Sequence, residues 1–151
     1  MDNFSCSFNV ESTQIHPDKI QAYLATDYKI DHAPQVIVLS IGYRSDPLLN
    51  LFSYYEVNCA AFITAYNPRG AIQSDEANAQ AHSELASMLQ QLGHKVIQGS
   101  GSEKGSKWPA EKSYCAFGLT LEHAKAIGTH FNQDAIVWVG EDAIPHLILL
   151  C

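Results

Sequence analysis

Apolar residues along the chain fall into β-like runs and helical stripes. The runs 35–42 and 59–66 are rich in apolar, β-branched and aromatic residues, which predicts two strands, the second of them central and covered on both faces. Over residues 77–92 the apolar side chains recur at steps of three and four, which predicts an amphipathic helix beginning near Ser74 and stopped by Gly93. The second strand is therefore connected to a long helix by a short polar corner, residues 67–70. In α/β proteins, ligands commonly bind at such strand-to-helix corners.

The remaining patterns complete one domain. Further helices are predicted from Pro17 and from Thr120, and further strands over 94–98, 112–119, 134–139 and 144–150, while 48–55 fits a short helix or a buried loop. We expect an α/β or α+β fold, with a mixed β-sheet of about five or six strands and three or four helices. Residues 1–15 are predicted to form a loose N-terminal arm and residues 16–151 a single globular domain. The Gly/Ser-rich stretch 99–107 is read as a polar surface loop or a functional loop.

Composition narrows the class of protein. The 151 residues are 46% hydrophobic and 17% charged, which fits a compact soluble protein. Nine Lys and Arg stand against sixteen Asp and Glu, giving a net charge of −7. That charge disfavours nonspecific binding to nucleic acid or to an anionic membrane, and it allows a basic protein partner. The chain begins with no signal-peptide pattern and has no apolar run long enough to span a membrane, so a cytoplasmic location is expected.

Four motifs resemble those of a bacterial domain-of-unknown-function family. They are an ITA-x-NP strand end within FITAYNPRG (62–70), W-x-x-E-x-S within WPAEKSY (108–114), F-x-Q-x-A within FNQDAIVW (131–138), and the opening YLATDYKI (23–30). The resemblance extends from about Tyr23 to Leu149. It implies a small cytoplasmic bacterial protein without an established activity, and it supplies no catalytic residues.

The corner after the second strand carries the first group of candidate ligand-binding residues. Asn67, Pro68 and Gly70 suit a tight turn, so the corner has a purely structural explanation. In the functional interpretation, Arg69 beside a helix N-terminus binds a phosphate or a carboxylate. Asn78, one turn into the helix, is a weak helix former that either hydrogen-bonds back to the corner or contacts a ligand held there.

A second group of candidates lies around the W-x-x-E-x-S motif. Glu111 and Ser113 share one side of a strand, next to Trp108. Glu111 is the candidate for a general acid or base, since an indole ring beside a carboxylate shields it from water and favours its protonated form, although a salt bridge to Arg69 or a lysine explains it equally well. Gln133 has two interpretations: it hydrogen-bonds to the edge of an amide or a base in a ligand, or it caps backbone groups of the protein.

Metal and cofactor chemistry have no support in the sequence. The seven histidines lack zinc-site spacing, the four cysteines lack a C-x-x-C pair, and no phosphate-binding P-loop is present, so we expect no metal, no cofactor and reduced structural thiols. The leading hypothesis is a domain that binds a small anionic or nucleotide-like ligand at the corner. The alternative is a protein-interaction or regulatory module that acts through an acidic surface. Whether the protein is an enzyme is left open.

Overall fold

The computed structural model describes residues 13–103 and 109–150. Four helices and seven strands follow one another along these residues: α1 (Pro17–Leu24), β1 (Thr26–His32), β2 (Gln35–Leu39), α2 (Asp46–Tyr55), β3 (Ala60–Ile63), α3 (Asp75–Gln91), β4 (Lys95–Glu103), β5 (Glu111–Phe117), α4 (Leu121–His130), β6 (Ala135–Val139) and β7 (Pro145–Leu149). A short 3₁₀ turn, Pro68–Gly70, lies between β3 and α3. The 48–55 segment is therefore a helix.

The strands form one sheet in the order β2-β1-β4-β5-β3-β6-β7, and every neighbouring pair is antiparallel. The expected single α+β domain is confirmed. The sheet has seven strands among the described residues and is antiparallel rather than mixed. β3 and β4 run in the same direction, as a helical crossover through α3 requires, but β5 lies between them and pairs antiparallel with both. This insertion is a non-local pairing that the order of elements does not reveal.

Helices cover the sheet on both faces. On one face, α2 packs Leu48, Leu51 and Phe52 against side chains of β1, β3, β5 and β6. On the opposite face, α3 and α4 enclose a second core that includes Leu85, Leu89 and other buried apolar side chains. All four residues of β3 are buried, so the prediction of a central strand covered on both sides is confirmed.

Helix α1 connects the two ends of the sheet. Its Ile20 packs with Ile15 and with Leu149 of β7, whereas its C-terminus leads directly into β1, five places away in the strand order. A flat sheet would separate those strands by roughly 24 Å, but an eight-residue helix is only about 12 Å long. The sheet must therefore curl, and α1 crosses its concave face on the side opposite α3 and α4. Ile15, at the end of the predicted arm, is buried, and residues 1–12 lie outside the described residues.

The Gly/Ser-rich stretch differs most from its predicted structure. Residues 99–103 continue β4, which runs over Lys95–Glu103 and pairs with β1 and β5. A Cβ atom at Gly99 would collide with the carbonyl oxygen of Lys29 and would lie 2.9 Å from Cε2 of Phe62. Glycine is therefore needed here for close backbone approach within a strand. Residues 104–107 of the predicted loop lie outside the described residues.

Each predicted helix start has a side-chain cap. Ser74 Oγ accepts a hydrogen bond from the Ala77 amide, and Thr120 Oγ1 accepts one from the His123 amide. These caps satisfy amides that a helix start leaves unpaired, and so they fix where α3 and α4 begin. Within the two described ranges, no helix has both the length and the apolar character required to cross a membrane.

Candidate functional site

A cavity of about 390 Å³ lies between α1 and the concave face of the sheet. It is at the edge where β3 ends and where β5 and β6 begin, which is the strand end at which the sequence predicts a site. The lining side chains combine aromatic and aliphatic walls with several polar groups. The lining includes Lys19, Tyr23, Tyr28, Phe62, Asn67, Gly101, Glu103, Glu111, Ser113 and Gln133.

One row of residues across three strands explains why a cavity exists here. Tyr28 of β1 is paired with Gly101 of β4, and Gly101 is paired with Glu111 of β5. Paired residues project from the same face of a sheet, so the missing side chain of Gly101 leaves a gap between a tyrosine ring and a carboxylate. Phe62 packs edge-on against Tyr28, with ring centroids 5.4 Å apart, and extends the aromatic wall.

The corner after β3 is held by an interlocked pair of asparagines. Asn67 has a left-handed backbone conformation (φ 46°, ψ 65°), which asparagine tolerates better than most residues. Its amide N–H donates to Oδ1 of Asn78 at 2.9 Å, and its own Oδ1 accepts from Nδ2 of Asn78 at 3.0 Å and from the Gln73 amide at 3.0 Å. The structural explanation of Asn78, a hydrogen bond back to the corner, is therefore present in the structure. Asn78 does not line the cavity.

The remaining donor of Asn67 orients the carboxylate in the cavity. Nδ2 of Asn67 donates to Oε2 of Glu111 at 2.9 Å. Next to it, Oγ of Ser113 donates to the backbone oxygen of Glu111 at 3.2 Å. Nε2 of Gln133 donates to the carbonyl of Tyr66 at 3.1 Å, so this side chain holds the corner and also lines the cavity. The structure thus brings four of the seven predicted residues to one cavity: Asn67, Glu111, Ser113 and Gln133.

Arg69 lies beside the cavity and does not line it. Its Nη1 is 3.6 Å from Oδ1 of Asp134, and its side chain is 49% exposed. Nζ of Lys19 on α1 contacts Oδ2 of the same aspartate and donates to the Arg69 carbonyl at 3.2 Å. The carboxylate of Asp134, only 10% exposed, is therefore shared by two cations. The ion pairs tie α1 to the corner after β3.

The start of α3 offers little to an anion. Its first turn carries Asp75 and Glu76, whose carboxylates already complement the positive end of the helix. The Ser74 hydroxyl occupies the cap position. The phosphate or carboxylate site expected at Arg69 therefore stays a prediction, and the acidic first turn of α3 weighs against it. Trp108, the indole expected beside Glu111, lies outside the described residues.

Six of the lining residues named above had not been predicted as site residues: Lys19, Tyr23, Tyr28, Phe62, Gly101 and Glu103. Lys19 and Tyr23 are four residues apart on α1, and the alternation of Thr26, Tyr28 and Ile30 could have identified β1. A glycine within a strand indicates close approach of backbone or ligand. The Gly/Ser-rich composition around Gly101 favoured a loop instead and obscured that signal.

The two tyrosine hydroxyls are neutral at physiological pH. Burial raises the pKa of Tyr23, and the charges of Asp134 and Glu111 raise it further. Burial likewise raises the pKa of Tyr28, whose hydroxyl donates to the Tyr23 carbonyl at 2.7 Å. Both rings therefore contribute apolar faces and uncharged hydroxyls to the cavity wall.

Other reactive side chains do not assemble into a centre. Across residues 13–103 and 109–150, no three His, Cys, Asp or Glu side chains are grouped so that they could hold a metal ion. Cys59 and Cys115 are buried free thiols, and burial raises the pKa of both, which keeps them protonated. Cys6 and Cys151 lie outside the described residues.

The comparisons with known proteins agree with the resemblance seen in the sequence. No curated protein and no solved structure matches the chain. The segment from β3 to the start of β6 contains the corner, Glu111, Ser113 and Gln133. That segment, residues 63–136, matches the family described as "Protein of unknown function (DUF3293)", so the expected similarity to a family of unknown function is confirmed.

Proposed function

We propose that this domain binds a small molecule in the cavity beneath α1, and that the ligand is nucleotide-like in having a flat ring with a polar edge. The observation that carries the proposal is the convergence of Asn67, Glu111, Ser113 and Gln133, from three separate segments, on one cavity of about 390 Å³. That volume is within the usual range for small-molecule sites, which combine apolar walls with a few placed polar groups.

The chemistry of the walls supports a ring more than an anion. Tyr28 and Phe62 provide aromatic surface on which a planar group can stack, and the amides and hydroxyls nearby can read its edge. Among the described lining residues, Lys19 is the single Lys or Arg, and its ammonium group already contacts Asp134. Of the two ligand kinds expected from the sequence, the nucleotide-like one therefore has the stronger support.

A substitution that fills the cavity tests the proposal. A Cβ added at Gly101 meets only ordinary contacts with Thr26 and Tyr28, at 3.6 to 3.8 Å, so Gly101→Val should fold while its methyl groups occupy the gap. We expect nucleosides and free nucleobases at millimolar concentration to shift the backbone amide resonances of Glu111 and Gln133 in the wild type. The same compounds should leave those resonances unchanged in Gly101→Val.

Ser100→Val is the matched control, because it adds the same side chain to the same strand on the opposite face. It should bind as the wild type does. Equal binding by Gly101→Val and the wild type, or no response to any compound in the panel, would remove the proposal.

A protein-interaction role is the alternative proposal. Its support is the net charge of −7 together with β2, an edge strand of the sheet whose Val36 and Val38 are 56% and 48% exposed. Such an edge can pair with a strand of another protein. Native mass spectrometry of the protein isolated from its source would favour this role if it found a stoichiometric basic partner that Gly101→Val retains and a Val36→Lys, Val38→Lys variant loses.

A further inference from the structure

The charge and shape of the cavity indicate which group of the ligand is recognised. Among the described lining residues, two carboxylates, Glu103 and Glu111, stand against one ammonium group, that of Lys19, which is already in contact with Asp134. Carboxylates set among aromatic rings attract positively charged donors, because the ring faces and the carboxylates are both negative in potential. An anion placed between the same groups would be repelled.

The row Tyr28–Gly101–Glu111 sets the orientation of such a group. The tyrosine and the glutamate lie on strands either side of β4, roughly 10 Å apart across the gap at Gly101. A planar group lying in that gap can place one face on the Tyr28 ring and direct its edge toward Glu111. The Asn67 amide donates to Oε2 of Glu111 and so fixes the carboxylate before a ligand arrives. A carboxylate can accept about four hydrogen bonds in total, so this contact is compatible with further donors.

We propose that the cavity recognises a planar organic cation that bears N–H donors, of the amidinium, guanidinium or protonated aminoheterocycle class, through Glu111 and the Tyr28 ring. This inference rests on the proposed function, since it specifies the ligand class of the same cavity. Paired N–H donors match the two oxygens of a carboxylate, and the delocalised charge lies over the aromatic face.

Three probes of nearly equal size separate the effect of ligand charge on affinity from the effect of ligand shape. Benzamidine, benzamide and benzoate carry the same phenyl ring with a cationic, a neutral and an anionic planar group. Each is titrated into ¹⁵N-labelled wild-type protein at pH 7, with the amides of Gly101, Glu111 and Gln133 observed. We expect benzamidine to bind at least about tenfold more tightly than benzamide, as a charged hydrogen bond in place of a neutral one predicts, and benzoate to bind most weakly.

The variant Glu111→Gln tests the role of the carboxylate. Glutamine keeps an oxygen that can accept from Asn67, so the corner is preserved while the negative charge is lost. Benzamidine should lose at least about tenfold in affinity, and benzamide should change by less than about threefold. Glu84→Gln, an exposed change on α3 outside the cavity lining, removes the same charge elsewhere and should leave both affinities unchanged.

The outcomes distinguish this inference from the proposed function. Benzamidine and benzamide binding equally, or benzoate binding most tightly, would overturn the cation assignment while leaving a functional cavity. Failure of all three probes to shift the cavity amides would overturn the cation assignment, and the proposed function would fall with it only if the nucleosides and nucleobases also failed to bind. If Glu111→Gln does not fold, the ranking of the three probes on the wild-type protein still decides the question.

Discussion

Asn67 and Asn78 hold each other through two reciprocal hydrogen bonds, of 2.9 and 3.0 Å, that join the left-handed corner after β3 to the first turns of α3. Asn67 donates from its backbone amide and accepts at its Oδ1, whereas Asn78 accepts at its Oδ1 and donates from its Nδ2. The arrangement fixes a strained backbone position and at the same time sets the direction of the Asn67 Nδ2 group toward Glu111. The corner is therefore a support for the cavity as well as a turn.

Asn78→Ala should destabilise the protein by about 2 kcal/mol. It removes both bonds and leaves the part-buried amide of Asn67 without its acceptor, a loss that ordinarily costs more than the bond itself contributes. Urea unfolding followed by circular dichroism measures the change. Gln90→Ala, at an exposed position of the same helix, should stay within about 0.5 kcal/mol of the wild type. Equal stability of the two variants would show that the asparagine pair is dispensable.

Alanine substitutions at two glycines of β4 should have opposite effects. Gly99→Ala places a Cβ atom against the Lys29 carbonyl and the Phe62 ring, and we expect a loss of about 2 to 3 kcal/mol. Gly101→Ala meets nothing closer than 3.6 Å, so stability should be unchanged or higher by up to about 1 kcal/mol, since alanine restricts the unfolded chain. Thermal unfolding of both variants gives the comparison. A marked loss at Gly101 would mean that the gap beside Glu111 is closed in solution.

His82 should make stability depend on pH. Both ring nitrogens are buried and have no hydrogen-bond partner among the described residues, and the ring stacks on Tyr114 with centroids 4.1 Å apart. Burial, and then the charge of Lys112, lowers the pKa of His82 below its ordinary value of 6.5. The unfolded chain therefore binds this proton more readily than the folded protein does.

The sign of the effect follows from that difference. The contribution of neutral His82 to the free energy of unfolding is complete above pH 6.5. It should diminish as the pH falls through 6.5 toward the lower pKa of the folded state. His82→Phe retains the stack on Tyr114 and should flatten the fall in the urea midpoint between about pH 7 and pH 5. A variant whose midpoint falls as steeply as that of the wild type would assign the pH dependence to other groups.

Lys19→Met should loosen α1. The substitution keeps the apolar stem but removes the contact with Asp134 and the hydrogen bond to the Arg69 carbonyl, and we expect a loss of about 1 to 2 kcal/mol. Hydrogen exchange should accelerate at residues 20–24 more than in the central strands. Arg44→Met breaks an exposed ion pair with Asp46 and should cost less than about 0.5 kcal/mol. Unchanged exchange in α1 would show that Ile20 and its apolar contacts suffice to hold the helix.

Local chemistry explains which elements the sequence predicts well. The caps at Ser74 and Thr120 act over three residues, and the helices begin as predicted. The apolar segment 48–55 fits a helix or a loop by composition. In the structure the segment is helical, and the Ser45 hydroxyl caps the start of α2 by accepting a hydrogen bond from the Leu48 amide.

Non-local pairing explains what the sequence does not reveal. Whether Gly99 to Glu103 is loop or strand depends on β1, which is more than 65 residues earlier in the chain. The predicted site residues of β3, β5 and the α4–β6 junction converge because these strands are neighbours in the sheet. Lys19 and Tyr23 reach the same cavity only because α1 crosses the concave face, and their spacing on the helix does not indicate that crossing.

The short span of α1 has a consequence for access to the cavity. If this helix undocks, the cavity opens to solvent while every strand of the sheet keeps its partners. The free energy of widening access to the cavity is then that of detaching eight residues, rather than that of unfolding the domain. An occupant in contact with both Tyr23 and Glu111 would hold α1 against the middle of the sheet, so binding and detachment of this helix would oppose each other.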